Sequence, residues 1–446
     1  MRKNLYLCCL PSWTRKSEIK WGACGMSEWT WKIIDDLGQI VTGKTPSTKC
    51  PEYWDGDIPF ITPKDIQGTK HCEKTERYIT NAGSLSAGKV MLGRDAVCVS
   101  CIGNIGYVAM TTQNSVTNQQ INSIVVNDDH SNDYVYYLMK NLWGYFKTCE
   151  SQGTSVPILS KSLFSQIPVF VPTIALQRKI SAVLSVLDNK IELNHRLNDN
   201  LESMAQALYD YWFVQFDFPD ENGKPYKSSG GKMVWNEQLK REIPEGWEVK
   251  QIREVADTCL GGTPVTNIRE YWDGGNIPWI SSGDLTSNPL LQVSDYITQK
   301  GLNNSAAKLM PKGTVVVSLV RYIRPSILGI DAAGNQSVVG IFANKILPTC
   351  FLYPYVKSEV PRLMGLRTGA QQPHINKEVI DSSFIVLPDN VSIMGQYQNR
   401  ALGIYEKLLC VAKERESLTK QRDFLLPLLM NGQVQVKPLN YRLADD

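Results

Sequence analysis

The clearest chemical pattern in the chain lies near its start, at residues 38–45. This segment matches G-x-x-x-x-G-K-[ST], in which backbone amides and a lysine cradle phosphate groups. A phosphate-binding loop of this kind follows a buried strand and opens a helix. Here residues 33–37 make a poor buried strand, Pro46 follows at once, and the related segment at 260–264 has no lysine. The pattern therefore indicates a turn, and nucleotide hydrolysis is an alternative that rests on these residues alone.

Other residues that could do chemistry show no catalytic or metal-binding arrangement. Cys98 and Cys101 form one C-x-x-C pair, but no second pair or suitably spaced histidine follows, so we interpret both as core thiols and not as a zinc or redox site. The 11 cysteines are an odd number, unlike a disulfide framework and typical of a reducing cytoplasm. The four histidines share no ligand spacing, and no hydrolase, dinucleotide-binding or amino-methyltransferase motif occurs. We expect no catalytic residue, no metal and no cofactor bound by this chain.

Composition excludes several broad classes of protein. Hydrophobic residues are 43% and charged residues 20%, which is typical of a globular chain and not of a disordered or fibrous one. No apolar run approaches the ~18 residues that span a membrane. The net charge is only +3, so charge alone does not argue for nucleic acid. Residues 1–25 hold five basic residues and one acidic residue, and we expect them to be a disordered extension or an upstream translated stretch.

The elements that must position any site are repeated along the chain. Matching segments, in chain order, are 45–46 with 263–264, 52–56 with 270–274, 58–62 with 277–281, 78–80 with 296–298, and 118–119 with 335–336. The order is preserved and the offset stays between 216 and 219, which indicates an internal duplication.

Each copy has a globular part followed by a long helix. About 145 residues with short apolar runs and many turns predict an α+β domain, and apolar spacings of three and four predict helices over about 176–212 and 394–426. We predict an α+β fold: two pseudo-repeated globular domains separated by two long antiparallel coiled-coil helices, with pseudo-twofold symmetry. The alternative is that each helix packs on its own domain. The predicted parts are 1–25 (extension), 26–172 (first globular domain), 173–215 (central helix), 216–246 (linker), 247–388 (second globular domain), 389–432 (C-terminal helix) and 433–446 (tail).

The repeated motifs are similar to those of one known family. They are Gly-Lys-Thr-Pro at 43–46, Tyr-Trp at 53–54 and Ile-Pro-Phe-Ile at 58–61, with counterparts Gly-Thr-Pro at 262–264, Tyr-Trp at 271–272 and Ile-Pro-Trp-Ile at 277–280. Leu-Tyr-Asp-Tyr-Trp-Phe-Val at 208–214, Ile-Pro-Glu-Gly-Trp at 243–247 and Leu-Leu-Pro-Leu-Leu-Met-Asn-Gly at 425–432 join them. Over about residues 26–435, the chain resembles the specificity subunit of a type I restriction-modification enzyme.

The resemblance implies two target-recognition domains, each reading one half of a gapped asymmetric site in double-stranded DNA. The helices would set the spacing and dock two modification subunits, which bind S-adenosylmethionine and methylate adenine. Two restriction subunits, which use ATP and Mg²⁺, can join them. The chain itself would be non-catalytic and cytoplasmic, with no membrane partner. The competing hypothesis is a pseudo-symmetric scaffold or adaptor that binds protein and not DNA, although unequal polar loops in the two copies favour DNA.

Candidate DNA contacts are polar residues on the expected turns. Arg or Lys can read guanine and Asn or Gln can read adenine, while Lys, Arg, Ser and Thr can hold phosphates. The candidates in the first copy are Lys44, Thr45, Thr62, Lys64, Asn104, Asn118, Gln119, Gln120, Gln152 and Thr154. Those in the second copy are Thr263, Ser281, Ser282, Arg321, Tyr322, Arg324, Asn335, Gln336, Arg367, Gln371 and Gln372.

Two further expectations follow. Because the half-sites differ, reading residues should differ between the copies, which favours Arg321, Arg324, Gln371 and Gln372. The shared Tyr-Trp pairs at 53–54 and 271–272 are interpreted as structural. At the end of the first long helix, Tyr209, Trp212 and Phe213 are candidate partner-binding residues, and the alternative is that they cap the paired helices.

Overall fold

The structure is a computed structural model, and it describes residues 28–88, 91–148, 157–369 and 371–436. The chain divides into two compact units, the first made of residues 1–190 with 418–446 and the second of residues 191–417. The expected extension at 1–25 lies outside the described residues. Among those that are described, no helix is long and apolar enough to cross a membrane.

The first unit contains one globular domain and parts of both long helices. Its strands are β1 Trp29–Ile33, β2 Gly38–Thr42, β3 Trp54–Ile61, β4 His71–Cys72, β5 Arg77–Ile79, β6 Val97–Ser100, β7 Val108–Thr111, β8 Val116–Thr117, β9 Ile121–Val126 and β10 Pro168–Pro172. Its helices are α1 Asn81–Ser86, α2 Asn132–Asn141, α3 Trp143–Thr148, α4 Lys161–Ser165 and the beginning of α5 Ile174–Tyr209.

The second unit repeats this plan. Its strands are β11 Met233–Asn236, β12 Arg241–Pro244, β13 Glu248–Gln251, β14 Thr258–Leu260, β15 Ile277–Ile280, β16 Asp295–Ile297, β17 Leu309–Met310, β18 Val315–Ser318, β19 Pro325–Ile327, β20 Ala332–Gly334, β21 Val338–Ile341 and β22 Phe384–Leu387. Its helices are α6 Ile252–Val255, α7 Gln299–Asn303, α8 Thr349–Gly365, α9 Lys377–Asp381 and most of α10 Val391–Met430.

The sheets of the two units share a common strand order, and β4 in the first unit and β17 in the second are additional edge strands. The order β2-β9-β6-β7-β4 in the first unit matches β14-β21-β18-β19 in the second. The order β5-β3-β8 matches β16-β15-β20, including one parallel pair in each. The β1–β10 ladder matches β13–β22. The internal repeat and the α+β class predicted from the sequence are therefore confirmed.

The two long helices run antiparallel within each unit. In the first unit, Asp188 of α5 bonds Arg422 of α10, and Leu184 shares a core with Leu426. In the second, the Asn194 side chain bonds Glu414 at 2.9 Å, and Leu201 packs with Val411. As the number rises along α5 it falls along α10, so the predicted antiparallel pairing is confirmed in both units.

Each unit has its own main core. In the first, aromatic residues of α2 and α3 pack with strands β6, β7 and β9 and with the α5 and α10 segments of that unit. In the second, α8 packs with β18 and β21 and with the aromatic end of α5. The helix faces thus help complete the hydrophobic cores of the globular domains.

Three element boundaries differ from the sequence expectations. Residues 210–214 form a π-helical turn after α5. Helix α10 continues past Pro427 to Met430, so the proline lies within the last turn and does not end the helix. The segment 216–246 is folded and is more than a linker. It forms the β11–β12 hairpin and buries Phe216, Phe218 and Ile243.

Candidate nucleic-acid interface

One β-hairpin of each globular domain carries exposed candidate residues in its loop: Asn104 in the first unit, and Arg321, Tyr322 and Arg324 in the second. In the first unit this is the β6–β7 hairpin with its loop at 101–107, and in the second it is β18–β19 with its loop at 319–324. Both hairpins carry fully buried valines in their strands, which hold the loops on a rigid base. We call these two loops the recognition tips.

A second segment is fastened to each recognition tip by the same pair of backbone hydrogen bonds. The Gly103 amide donates to the Pro157 carbonyl at 3.0 Å, and Leu159 donates to Cys101 at 2.8 Å. In the second unit, Arg321 donates to Pro373 at 2.8 Å and Ile375 donates to Leu319 at 3.0 Å. The duplicated bonds show that the repeat extends to the geometry of the tips.

The tip of the second unit concentrates cationic and aromatic groups. Arg321, at φ +60°, is exposed, and the Tyr322 side chain beside it is 61% exposed. The Arg324 guanidinium lies 5.2 Å from the Tyr322 ring centroid, a cation–π distance. Gln371 and Gln372 are exposed on the segment fastened to this tip. Guanidinium and amide groups on one rigid tip are suited to reading base edges.

Arg367 has a different place in the same tip. Its Nε donates to the Met364 carbonyl at 2.9 Å, and its Nη1 donates to the Arg321 carbonyl. The guanidinium is therefore used to hold the backbone that carries Arg321. We assign Arg367 a supporting contact in the tip.

The tip of the first unit has other chemistry. Asn104 is exposed at its end, and its carbonyl accepts a hydrogen bond from Ser100. Trp143 lies against the loop, since a side-chain carbon at Gly106 would come within 2.5 Å of its ring. The Trp143 side chain is 46% exposed, and the Lys147 ammonium lies 3.9 Å from its ring centroid.

Sequence reasoning missed Trp143 and Lys147. The available signal was a tryptophan and a lysine four residues apart on a short helix, a spacing that places both on one face. That spacing does not tell which loop the face covers, so only the tertiary structure brings this pair to the tip.

The Gly-Thr-Pro turns lie against the Asn-Gln turns in both units. The Thr45 hydroxyl donates to the Gln119 side chain, and Thr263 donates to Gln336 in the same way. The amides of Gly43 and Lys44 donate to backbone carbonyls at 3.2 and 3.0 Å. These amides are occupied within the fold, which supports the interpretation of residues 38–45 as a turn. The Lys44 side chain is exposed.

Further sequence candidates close local turns. The amide and hydroxyl of Thr62 both donate to Asp65, and those of Ser281 donate to Asp284, at 2.7–2.8 Å. Burial alone would raise the pKa of Asp284, but bonds from Ser281 and Ser294 lower it. These hydroxyls are engaged in the fold, and Ser282 beside them is partly exposed.

The remaining candidates have mixed surroundings. Asn118 is buried and donates to Gln120, and Asn335 accepts from the Ser337 amide. Lys64 is exposed and pairs with Glu76 at 3.6 Å. Gln152 and Thr154 lie outside the described residues.

The shared Tyr-Trp pairs have equivalent structural contacts. The Tyr53 carbonyl accepts from the Thr80 amide at 3.0 Å, and Tyr271 accepts from Thr298 at 2.9 Å. The indoles of Trp54 and Trp272 donate to backbone carbonyls at 3.1 and 3.2 Å. These contacts support the structural interpretation of both pairs.

The aromatic residues at the end of α5 lie in the core of the second unit. Tyr209, Trp212 and Phe213 are 5%, 1% and 2% exposed. The Phe213 ring is 4.6 Å from Phe351 and 4.9 Å from Tyr397 between centroids. Because they are buried, these side chains have no free surface for a partner. The structure therefore supports internal packing of the three residues and not the expected contact with a partner subunit.

The cysteine pair is also internal. Cys98 and Cys101 are buried free thiols, and burial raises the pKa of each to about 12. In the part of the chain that the structure describes, no group of three or more His, Cys, Asp or Glu side chains could hold a metal ion.

Comparison with known proteins gives consistent relatives. The family described as "Type I restriction modification DNA specificity domain" matches residues 26–203 and 244–404. The chain is 35% identical over 473 residues to the type I restriction enzyme HindI specificity subunit of Haemophilus influenzae, covering 92% of this chain and 100% of that protein. It is 28% identical over 422 residues to the MjaIX specificity subunit of Methanocaldococcus jannaschii, covering 92% and 95%.

A solved structure shares the fold. The S subunit of the type I restriction-modification system from M. genitalium aligns over 90% of this chain and 96% of that chain, with a TM-score of 0.52 and 16% sequence identity.

Proposed function

This chain belongs to the type I restriction-modification DNA specificity family, and from that premise we propose how it recognises its target. It is a specificity subunit whose role is DNA target recognition. Each globular domain reads one half of a gapped, asymmetric site in double-stranded DNA through its recognition tip. The chain is non-catalytic and acts in the cytoplasm as the subunit that selects the DNA sequence for a larger complex.

The observation that carries this proposal is the inequality of the two recognition tips. One scaffold, duplicated to the level of single backbone hydrogen bonds, presents Arg321, Tyr322 and Arg324 in one unit. It presents Asn104 and a Trp143–Lys147 pair in the other. Guanidinium groups favour guanine and amide groups favour adenine. Different tips on the same scaffold are what an asymmetric target requires.

The remaining sequence candidates divide between base reading and phosphate contact. Exposed Lys44, Lys64, Gln119 and Gln336 lie on turns and are suited to phosphates or base edges. Thr45, Thr62, Thr263 and Ser281 are tied to neighbouring side chains, so we assign them to shaping the turns.

Relatives named as subunits of type I restriction enzymes imply partner subunits, and α5 offers a surface for them. Leu193 and Met204 are 58% and 56% exposed and lie eleven residues apart, about three helical turns, on one face. We infer that this apolar face docks a modification subunit. The full complex would hold two modification subunits that use S-adenosylmethionine and two restriction subunits that use ATP and Mg²⁺.

The scaffold or adaptor alternative has no support among the relatives reported above, which are named specificity subunits. Nucleotide hydrolysis by this chain has no support either, since the amides of Gly43 and Lys44 are bonded within the fold.

The decisive experiment is methylome sequencing of a host that expresses this chain with its cognate modification subunit. A strain that lacks only this chain is the control. We expect a bipartite methyl-adenine motif that disappears in the control strain. If the complex assembles and no such motif is found, the proposed reading function is refuted.

A further inference from the structure

Where each globular domain meets the long helices, polar side chains form a cluster around a carboxylate that is largely buried. The first clamp consists of Lys70, Asp133 and Tyr137 from the domain, Ser185 and Asp188 of α5, and Arg422 of α10. The second clamp consists of Asn288, Tyr353 and Lys357 from the domain and Asn198 and Glu202 of α5.

Asp188 is the centre of the first clamp. It accepts a hydrogen bond from the Tyr137 hydroxyl at 2.7 Å and an ion-paired bond from Arg422 at 2.9 Å. The Asp188 and Arg422 side chains are 8% and 14% exposed, so the pair is largely withdrawn from water. Nearby, Lys70 pairs with Asp133 at 2.7 Å and donates to Ser185 of α5 at 2.9 Å.

Glu202 is the centre of the second clamp, and its carboxylate accepts four hydrogen bonds. Oε1 accepts from the side-chain amides of Asn198 and Asn288, at 3.2 and 3.1 Å. Oε2 accepts from the Tyr353 hydroxyl at 3.0 Å and from the Lys357 ammonium at 2.8 Å. The Glu202 side chain is only 16% exposed.

Both clamps continue into the hairpins that carry the recognition tips. In the first unit, the Met110 amide of β7 donates to the Lys70 carbonyl at 2.7 Å. In the second, the Ile327 amide of β19 donates to the Asn288 side chain at 2.9 Å. Strands β7 and β19 are the outgoing strands of the two tips, and Lys70 and Asn288 are 218 residues apart, the offset of the repeat. Each recognition hairpin is thus joined to α5 through one clamp residue.

Apolar packing is non-directional and permits small rotations of a domain on a helix. Several directed bonds to one buried carboxylate permit far fewer orientations, and any rotation would leave a charge without its partners. In a folded variant that lacks a clamp, the apolar packing remains and the hairpin can take a wider range of angles to the helix.

We propose that Asp188 and Glu202 are positioning residues that hold each recognition hairpin at one angle to the helices. By doing so they restrict the complex to one spacer length between the half-sites. This inference rests on the proposed reading function, and neither residue needs to touch DNA.

The test measures methyl transfer by the assembled complex to duplexes with unchanged half-sites and a spacer of the natural length, one base pair shorter or one base pair longer. Glu202→Gln keeps the side-chain shape but replaces one acceptor oxygen with an amide NH2 group. This group cannot accept the hydrogen bonds that the neighbouring side chains donate to that oxygen. We expect the ratio of the methylation rate on an altered spacer to the rate on the natural spacer to rise about tenfold. This corresponds to a decrease of ~1.4 kcal/mol in the preference for the natural spacer. Asp188→Asn should do the same.

Glu192→Gln is the matched control, because Glu192 is an exposed acid of the same helix that pairs with Arg196. It should leave the spacer ratio unchanged. An equal fall in rate on all three spacers in Glu202→Gln would mean a structural role alone and would overturn the inference. If that variant does not fold, Lys357→Met removes one donor and leaves three, and an unchanged ratio there would overturn it.

The wild-type complex separates the two hypotheses. If it methylates no bipartite site with any spacer, the proposed reading function fails. If it prefers one spacer and the Glu202 and Asp188 variants keep that preference, only the positioning role fails.

Discussion

At the scale of single residues, some polar side chains are bonded within the turns, and others are exposed and are those that we propose to read DNA. The hydroxyls of Thr62 and Ser281 donate hydrogen bonds to the carboxylates of Asp65 and Asp284. Arg321 is different, because it is exposed and its backbone lies at φ +60°, a region that L-residues enter rarely. Holding a bulky residue there has a cost in free energy, and such strain is common at functional positions.

Arg321 provides the sharpest test at this scale. Arg321→Lys keeps the positive charge but loses the two-pronged donor geometry that reads guanine. We expect methylation to become less selective at one base position of one half-site, with a loss of ~1–3 kcal/mol of discrimination. The measurement is methyl transfer to duplexes in which each position of that half-site is varied in turn.

Arg321→Gly should give the same loss of selectivity without backbone strain, because glycine enters positive φ freely. Lys250→Ala, on β13 in a different sheet, is the control and should change nothing. Equal weakening on every sequence in Arg321→Gly, with full activity kept in Arg321→Lys, would make Arg321 a phosphate contact.

At the scale of elements, the two long helices have two kinds of face. One face completes the core of each unit, and in the second unit Leu201 and Val411 meet on it. The other carries exposed apolar residues, of which Leu193 and Met204 lie on one line along α5. Exposed apolar surface arranged in this way is typical of interaction sites.

A double substitution tests that face. Leu193→Glu with Met204→Glu should abolish co-purification of the modification subunit, because two charges would be buried against the partner. The melting temperature of the isolated chain should change little, since both side chains are exposed. Tyr296→Glu, an exposed apolar residue outside the helices, is the control. Retention of the subunit by the double variant would contradict docking at this face.

His130 lies where the first globular domain meets α5. The Lys32 ammonium donates to its Nε2 at 2.9 Å, and its Nδ1 lies 3.0 Å from Gln177 of α5. Burial, and next the Lys32 charge, lower the pKa of His130 below its usual 6.5. The folded state therefore favours the neutral ring, and the unfolded state binds the proton more readily.

This stability contribution is fully present above about pH 6.5 and is lost as the pH falls through that value toward the lowered pKa. His130→Gln should be less stable than the wild type at neutral pH, and the difference in melting temperature should narrow on acidification. Exposed His374→Gln is the control for the loss of a histidine and should leave the melting temperature at neutral pH unchanged. If the difference in melting temperature between wild type and His130→Gln were the same at all pH values, protonation of the His130 ring would not contribute to the pH dependence of stability.

At the scale of the whole molecule, the same domain architecture occurs twice, and the two copies differ in their recognition tips. Sheet order and the backbone bonds that fasten each hairpin are shared between the units, and Lys70 and Asn288 take equivalent positions in the two clamps. The tips and the helix partners of the clamps are not shared, since Asp188 and Glu202 are both on α5. Conserving the scaffold while varying the tips lets a duplicated protein read two different half-sites.

The sequence alone determined the duplication, the α+β class, the long antiparallel helices and the family. Those features are recorded in order and periodicity, such as the Tyr-Trp pairs at a constant offset and the apolar spacing of α5. It also indicated that residues 38–45 form a turn, because the second copy lacks the lysine. A local sequence pattern is sufficient to predict a structural feature when residues that are close in sequence determine that feature.

Only the tertiary structure decided which side chains meet. Trp143 joins a tip whose loop is almost forty residues earlier, and Lys357 reaches a carboxylate on α5 at Glu202. Tyr209, Trp212 and Phe213 could have been a surface or a core on sequence alone, and the packing of α8 and α10 around them makes them core. Such contacts depend on how distant elements pack, and a side chain's type and spacing do not record its long-range neighbours.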